Sequence, residues 1–303
     1  MHRAAKTGGW GAIVLFLATL PSAPAADPVV IKLGLVQTMF RDVPPSLVTS
    51  IRGPFQDVFK RQTGMNGDIE LLPDWAAVSE HIKDGTLSAG VLHGFEFAWA
   101  RKLNPDLQPL VVSHPYESKL QACIIVNGAT SKPGFKPADL VGPSVRIAKG
   151  LKAHCHLYYE NLRRGFPANV LQPTGPANGT AEDAITAVLL GDNVAALVDY
   201  AAIKNYQALR PGAAKNIRVI CESELFPVSC LAVKKGIVDE KTLAQIKDGL
   251  TKANKSSEGK MLMMLWNLKG FSDVPKDYDA QLNRIYRAYP PPVRIVSTTR
   301  VEK

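Results

Sequence analysis

The sequence lacks a hydrophobic run long enough to cross a membrane as a helix. A membrane-spanning helix needs about 20 consecutive apolar residues, and the apolar run over 12–20 falls well short of this length. The sequence also lacks a cluster of basic residues with interleaved aromatic residues, because its 36 Lys and Arg are spread along the chain. The first absence argues against a membrane-embedded helical protein, and the second against a nucleic-acid partner.

Cysteine and histidine patterns typical of a metal site are missing as well. Neither CxxC nor HxxxH occurs in the chain, and such spacings are the usual sign of a structural zinc site. We therefore predict no metal and no cofactor. The four cysteines, Cys123, Cys155, Cys221 and Cys230, allow three full disulfide pairings, among which the sequence does not choose.

The amino-terminal residues have the layout of a cleavable secretory signal. Two basic residues precede the apolar run 12–20, and small residues follow it. We predict a signal peptide over 1–25, cleaved after Ala25 or Ala26. Because no cysteine for lipid attachment lies nearby, we expect a soluble protein in the periplasm, an oxidising compartment that allows one or two disulfides.

The charge balance favours a small anionic ligand. The chain has 36 Lys and Arg against 27 Asp and Glu, a formal charge of +9. The predicted signal contains two of the basic residues and no acidic one, so the remaining chain has a charge of +7. A basic surface attracts anionic small molecules or anionic membranes.

Length and pattern together predict a two-lobed α/β fold. The 278 residues after the signal exceed what one hydrophobic core usually serves. Strand-like apolar runs alternate with helical patterns, which is typical of largely parallel sheets. The predicted strands are 29–36, 69–72, 87–92, 120–126, 144–148, 194–198, 217–221 and 231–234. The predicted helices are 44–59, 75–84, 94–103, 152–164, 181–190, 239–254, 258–268 and 277–289.

Connections between the lobes are predicted from the same pattern. Segments near 116–122 and 222–230 are the two candidate crossings. Residues 136–140 are predicted as a loop or short helix that marks passage between the lobes. Prolines from 290 onwards end regular structure, which leaves a tail over 291–303.

Five segments of the chain, taken in order, carry a family resemblance. They are IKDGTLSAGVLHGFEFAWA, KPADLVGPSVRIAKG, CHLYYENLRRGF, AITAVLLGDNVAALVDY and IRVICESELFPVSCLAVKKGI. Their order and spacing resemble the periplasmic substrate-binding subunit of phosphate, phosphite and phosphonate ABC importers, over about residues 33 to 289. The resemblance implies a type II periplasmic binding protein, whose two α/β lobes close over an oxyanion by hinge motion.

The resemblance also implies domain limits and partners. Lobe one would contain 27–120 plus 228–290, and lobe two 121–227. The protein would be a monomer and not an enzyme, capturing a small phosphonate-, phosphite- or phosphate-like anion for the membrane permease of an ABC importer. An alternative is a ligand-sensing partner of a membrane receptor, with an altered or lost ligand site.

Ligand contacts in this family include a Ser-Thr-Ser-Gly turn at a helix N-terminus, where backbone N–H groups and the helix dipole favour an anion. The corresponding residues 152–155 read KAHC. The resemblance therefore points to Lys152 and His154 as charged donors in place of hydroxyl groups. The alternative is that both side chains are merely solvated at the helix start.

Three further positions are candidates for ligand binding. Asp199 follows a buried strand, and its carboxylate would accept from a ligand, or else cap the helix that begins near Ala201. His93 aligns with the family's turn before the lobe-one binding helix, and Phe97 with that helix's binding Tyr. The alternatives are a structural histidine and a core phenylalanine.

One enzymatic alternative rests on Cys155. This cysteine lies at a predicted helix N-terminus between His154 and His156, a position that stabilises a thiolate nucleophile. Adjacent residues on a helix point in different directions. Neither imidazole need therefore reach the sulfur, and we predict no enzyme.

Overall fold

A computed structural model describes residues 30–40, 50, 52–116, 119–265 and 268–292. The predicted signal peptide over 1–25 lies outside these residues, as does the tail from 293 onwards. Residues 44–49 and 51, at the start of the helix predicted over 44–59, also lie outside the described residues. No helix in the described part of the chain is long and apolar enough to cross a bilayer.

Strands in the described residues assemble into two separate sheets. They are β1 Val30–Val36, β2 Asn66–Leu72, β3 Ala89–Leu92, β4 Leu107–Pro115, β5 Ala122–Asn127, β6 Pro143–Ile147, β7 Gln172–Pro173, β8 Ala195–Asp199, β9 Ile217–Glu222, β10 Cys230–Lys234 and β11 Leu268–Ser272. The six-stranded sheet has the order β11-β4-β10-β3-β1-β2, and the five-stranded sheet the order β7-β6-β8-β5-β9. We call the six-stranded sheet with its helices lobe one, and the five-stranded sheet with its helices lobe two.

Both sheets are mixed. In lobe one, β1 is parallel to β2 and β3, whereas β10 is antiparallel to β3 and β4. In lobe two, β6 is parallel to β7 and β8, whereas β5 is antiparallel to β8 and β9. The two sheets contain more antiparallel strand pairs than the alternation of strands and helices suggests. The reason is that β5 and β10 enter their sheets from a crossing, not through a strand-helix-strand unit.

Helices cover both sheets. They are α1 Arg52–Thr63, α2 Trp75–Lys83, α3 Gly94–Leu103, α4 Ala153–Arg164, α5 Ala181–Leu190, α6 Tyr200–Leu209, α7 Pro211–Ala214, α8 Glu240–Lys252, α9 Ser257–Leu265 and α10 Tyr278–Ala288. The central strands β5 and β8 are buried along their whole length, which is expected for a sheet with helices on both faces.

Three strands, β4, β7 and β11, are absent from the sequence prediction. Of these, β4 and β11 pair with each other in an antiparallel register. Pro109 interrupts the strand pattern of β4, and β11 begins at the last residue of the helix predicted over 258–268. The described part of that helix runs to Leu265, and from Leu268 onwards the chain pairs at the sheet edge.

The chain passes between the sheets twice. The first crossing connects β4 to β5, and the second connects β9 to β10. The two crossings run side by side, since the N–H of Ser223 donates to the carbonyl of Ala122 and the N–H of Phe226 donates to that of Leu120, both at 2.9 Å. Two adjacent crossings agree with the predicted hinge of two segments, and the lobe limits given above stay a prediction.

The prediction that residues 136–140 mark a passage between the lobes is wrong. These residues contain a 3-10 turn, Pro137–Asp139, between β5 and β6. Both of these strands belong to the five-stranded sheet, so the segment stays within lobe two.

All four cysteines lie in the described part of the chain and are free thiols there, so the expected disulfides are not formed. Neighbouring strands β5 and β9 bring two of them near each other. However, Cys123 lies opposite Glu222, and Ile124 lies opposite Cys221. Because side chains alternate along a strand, the two thiols face opposite sides of the sheet.

Candidate functional site

Two helices of lobe two begin side by side. Strands β6 and β8 are parallel neighbours, so their carboxyl ends lie at the same edge of the sheet, where ligands bind in open α/β sheets. Helix α4 follows β6, with Lys152 at its N-cap, and α6 follows β8 directly, with Asp199 at its N-cap. The sheet thus brings together two residues that are far apart in sequence.

Lys152 and Asp199 form an ion pair at this edge. The ammonium nitrogen of Lys152 lies 2.7 Å from Oδ2 of Asp199, and the two side chains are 36% and 7% exposed. The other carboxylate oxygen, Oδ1, accepts from the N–H of Ala201 at 3.1 Å. Asp199 therefore caps α6 and faces the start of α4 at the same time. Its contact with a ligand stays a prediction.

The start of α4 is open to an acceptor. Helices α5 and α6 are capped by the side chains of Thr180 and Asp199, whereas no side chain in the described part of the chain caps α4. The first N–H groups of a helix have no partner within the helix and carry the positive end of its dipole. A positive side chain, that of Lys152, lies beside these groups.

His154 is next to the same carboxylate but is not the charged donor expected from the sequence. Its Nε2 lies 3.7 Å from Oδ2 of Asp199. Burial lowers the pKa of His154 to about 4, and this desolvation outweighs the neighbouring Asp199, which raises the pKa. The His154 ring is therefore neutral near pH 7. Of the two residues predicted as charged donors, only Lys152 carries a positive charge.

Cys155 contacts His154 but has no nucleophilic character. The Nε2 of His154 lies 3.4 Å from Sγ of Cys155, so one of the two neighbouring imidazoles does reach the sulfur. Burial raises the pKa of the Cys155 thiol well above its ordinary value. A neutral thiol beside a neutral imidazole is not an activated pair.

His93 and Phe97 have structural contacts in lobe one. His93 forms the N-cap of α3, with its N–H donating to Oε2 of Glu96 at 3.3 Å and its ring stacked on Phe95 at 5.4 Å. Phe97 is fully buried, and its ring centroid lies 6.5 Å from that of Tyr278. The structure therefore brings Lys152, His154 and Asp199 together, and keeps Phe97 in the core of lobe one.

Phe226 is a residue of the site region that sequence patterns did not indicate. It belongs to the second crossing, and its ring centroid lies 5.9 Å from that of Phe95 in α3 and 5.3 Å from that of His154 in α4. Tyr289, after α10, packs on it at 4.9 Å. Phe226 therefore joins the two lobes beside the candidate site. The only sequence signal was an aromatic residue within the proline-containing second crossing.

A groove of ≈ 680 Å³ lies elsewhere, on lobe one. Its lining comes from α3, β4 and α10 and includes Arg101, Asp279 and Tyr286. Arg101 pairs with Asp279 at 2.6 Å, so these two charged groups of the lining satisfy each other. None of the predicted ligand contacts lines this groove, and we assign the candidate site from charge and helix geometry instead.

Comparison with known proteins gives a family match. A family model described as "ABC transporter, phosphonate, periplasmic substrate-binding protein" matches residues 38–278, more than half of the chain. A comparison with curated proteins found no match.

Solved structures share the fold at low sequence identity. A protein from Xanthomonas citri with bound chloride has 13% identity and a TM-score of 0.56, with 86% of this chain and 97% of that chain covered. A binding protein component of an ABC phosphonate transporter from Pseudomonas aeruginosa has 16% identity and a TM-score of 0.53, with 86% and 88% covered. PhnD1 from Prochlorococcus marinus, in complex with methylphosphonate, has 14% identity and a TM-score of 0.52, with 85% and 97% covered.

The family match and the fold lead to one assignment. The match spans both lobes, and the fold is that of type II periplasmic binding proteins, as the sequence resemblance implied. The chain belongs to the family of periplasmic substrate-binding proteins of phosphonate ABC transporters, whose members bind a ligand for a membrane permease and are not enzymes.

Proposed function

We propose that this protein captures a small oxyanion of the phosphite, phosphate or simple phosphonate type and delivers it to the permease of an ABC importer. The observation that carries the proposal is the position of Lys152 at the uncapped start of α4. An ammonium group and free helix N–H groups together favour an anion. Two proteins of similar fold were solved with an anion bound, one with methylphosphonate and the other with chloride.

The ion pair with Asp199 defines how the anion would bind. Lys152 is partly exposed, whereas Asp199 is buried and held by the N–H of Ala201. An incoming anion would therefore draw the mobile ammonium away from a carboxylate that keeps its place. Asp199 would act as an internal counterion that positions Lys152 while the site is empty.

The same pair argues against a ligand with an amino group. The carboxylate of Asp199 would accept from a ligand amine, but the Lys152 ammonium lies at hydrogen-bonding distance from it. The Lys152 side chain thus occupies the position that a ligand amine would take. We infer that the preferred ligand has an oxyanion and no ammonium group.

Calorimetric titration of the mature protein tests this function. Phosphite, phosphate and methylphosphonate would each be titrated into the wild type, Lys152→Ala and the control Lys149→Ala, which removes an exposed lysine of the same loop. A charge contact of about 1 to 3 kcal/mol predicts binding about fivefold to 150-fold weaker in Lys152→Ala, and unchanged binding in the control. This loss should be larger at low salt than at high salt.

Two results would overturn the proposal. One is equal affinity in the wild type and Lys152→Ala for whichever oxyanion binds. The other is a preferred ligand that is neutral and whose affinity does not change with salt.

Two further predictions have their own measurements. Sedimentation of the mature protein would test the predicted monomer, and mass spectrometry of its amino terminus would test the predicted cleavage after Ala25 or Ala26.

A further inference from the structure

We propose that His154, Cys155 and Asp199 form a binding site for a divalent transition-metal ion of the zinc type. The three residues come from the starts of two helices, α4 and α6. One ligand atom from each lies within 4.8 Å of those of the other two, and all three residues are buried. This inference goes beyond the capture of an oxyanion, and it does not depend on it.

The distances between the donor atoms fit a tetrahedral site. Metal–ligand bonds of about 2.0 to 2.3 Å in a tetrahedron place donor atoms about 3.3 to 3.8 Å apart. The Nε2 of His154 lies 3.4 Å from Sγ of Cys155 and 3.7 Å from Oδ2 of Asp199. Two edges of the tetrahedron are therefore already formed, and small movements would complete the third.

The types of donor select the class of metal. Sulfur, imidazole nitrogen and carboxylate oxygen together suit borderline ions such as Zn²⁺ or Co²⁺. Calcium and magnesium require mostly oxygen ligands, six or more for calcium, so a set with one oxygen excludes them. Three protein donors leave the fourth position to water, and the thiol of Cys155 releases its proton to solvent when the metal–sulfur bond forms.

The backbone holds the donors in place. The N–H of Cys155 donates to the carbonyl of Lys152 at 3.0 Å and fixes the first turn of α4. The Oδ1 of Asp199 is held by the N–H of Ala201 at 3.1 Å, so Oδ2 is the oxygen that faces His154. The donor set is therefore arranged before any ion binds, which lowers the cost of assembling it.

Lys152 competes with the metal for Asp199. Its ammonium occupies Oδ2 at 2.7 Å and its side chain is 36% exposed, so it can swing into solvent on a flexible stem. Lys152 therefore weakens metal binding, in contrast to its proposed role in anion binding.

The test uses Co²⁺ as a spectroscopic probe and Zn²⁺ as a competitor. Mature protein is treated with EDTA and a phosphine reductant, and is then titrated with Co²⁺ in a buffer free of oxyanions. We expect one ion per chain, a near-ultraviolet thiolate–cobalt absorption band, and loss of the band when Zn²⁺ is added. Failure of oxyanion capture would leave this result unchanged, since no oxyanion is present.

Variants distinguish the proposed site from other thiols. Cys155→Ala should abolish the band and weaken Zn²⁺ binding at least tenfold, whereas Cys230→Ala, which removes an equally buried thiol in lobe one, should change neither. His154→Gln should also weaken Zn²⁺ binding at least tenfold, and Lys152→Ala should strengthen it. Absence of the band in the wild type, or its persistence in Cys155→Ala, would overturn the proposal. If Cys155→Ala melts far below the wild type, unchanged Zn²⁺ affinity in a folded His154→Gln would overturn it instead.

Discussion

The ammonium nitrogen of Lys152 lies 2.7 Å from Oδ2 of Asp199. This ion pair joins the N-termini of two helices, α4 and α6, where positive dipole ends would otherwise lie close together. The buried carboxylate compensates both the dipoles and the ammonium. An anion that binds at the start of α4 must therefore compete with Asp199 for Lys152.

Asp199→Asn should strengthen oxyanion binding by about threefold to tenfold, or about 0.7 to 1.4 kcal/mol. The substitution releases Lys152 from its counterion, and Asn caps helices as well as Asp does, so α6 should keep its start. Calorimetric titration with phosphite or methylphosphonate measures the change. Asp192→Asn, at an exposed acid in the turn before β8, is the matched control, and weaker binding in Asp199→Asn would contradict this prediction.

An aminoalkylphosphonate should bind the wild type no more tightly than methylphosphonate does. The ligand amine finds Asp199 already paired with Lys152, and burying an unpaired ammonium costs free energy. In Lys152→Ala the carboxylate is released, and we expect the order of the two affinities to reverse. Titration of both ligands into both proteins measures this, and a tenfold wild-type preference for the amine would show the pair is not an obstacle.

Phe226→Ala should destabilise the protein by about 3 kcal/mol, the usual cost of removing a buried phenyl ring. Its ring is 5% exposed and packs against Phe95 of lobe one and His154 of lobe two. Phe226→Leu fills part of the cavity and should cost less. Denaturation by urea, followed by circular dichroism, measures both, and equal stability of the wild type and Phe226→Ala would mean the ring does not hold the lobes.

The ion pair between Asp68 and Arg52 should make the stability of the protein depend on pH in the acid range. The Nε of Arg52 donates to its Oδ1 at 2.6 Å, and this bond, more than any other contact, holds the pKa of Asp68 below its ordinary value of 3.8. Since the folded pKa is lower than the unfolded one, the stabilisation is present above pH 4 and is lost as the pH falls through the folded pKa.

Asp68→Asn should therefore lower stability at pH 7, and the difference from the wild type should shrink as the pH falls below 4. Both partners are partly exposed, at 52% and 28% of their side chains, so the difference at pH 7 should be below about 1 kcal/mol. Urea denaturation at several pH values measures it. A gap between the two proteins that stays constant with pH would argue against the ionised pair.

Helices with strong local signals were predictable to their ends. The helix predicted over 181–190 begins and ends at these residues. Thr180 caps its start by accepting from the N–H of Asp183, and Gly191 ends it in the left-handed conformation with a φ of 89°. Both signals act within a few residues. By contrast, β11 depends on pairing with β4, more than 150 residues away in sequence, and no local signal indicated it.

The sequence by itself determined the family, the two-lobed α/β architecture and the start of helices such as α2, α3 and α5, because order, spacing and capping are local properties of the chain. It also indicated three of the residues that gather at one edge of lobe two. Only the tertiary structure decided that Lys152 pairs with Asp199, that His154 is neutral beside Cys155, and that Phe97 lies in the core. These properties depend on burial and on contacts between distant segments, since desolvation and Coulomb interactions act through space and not along the chain.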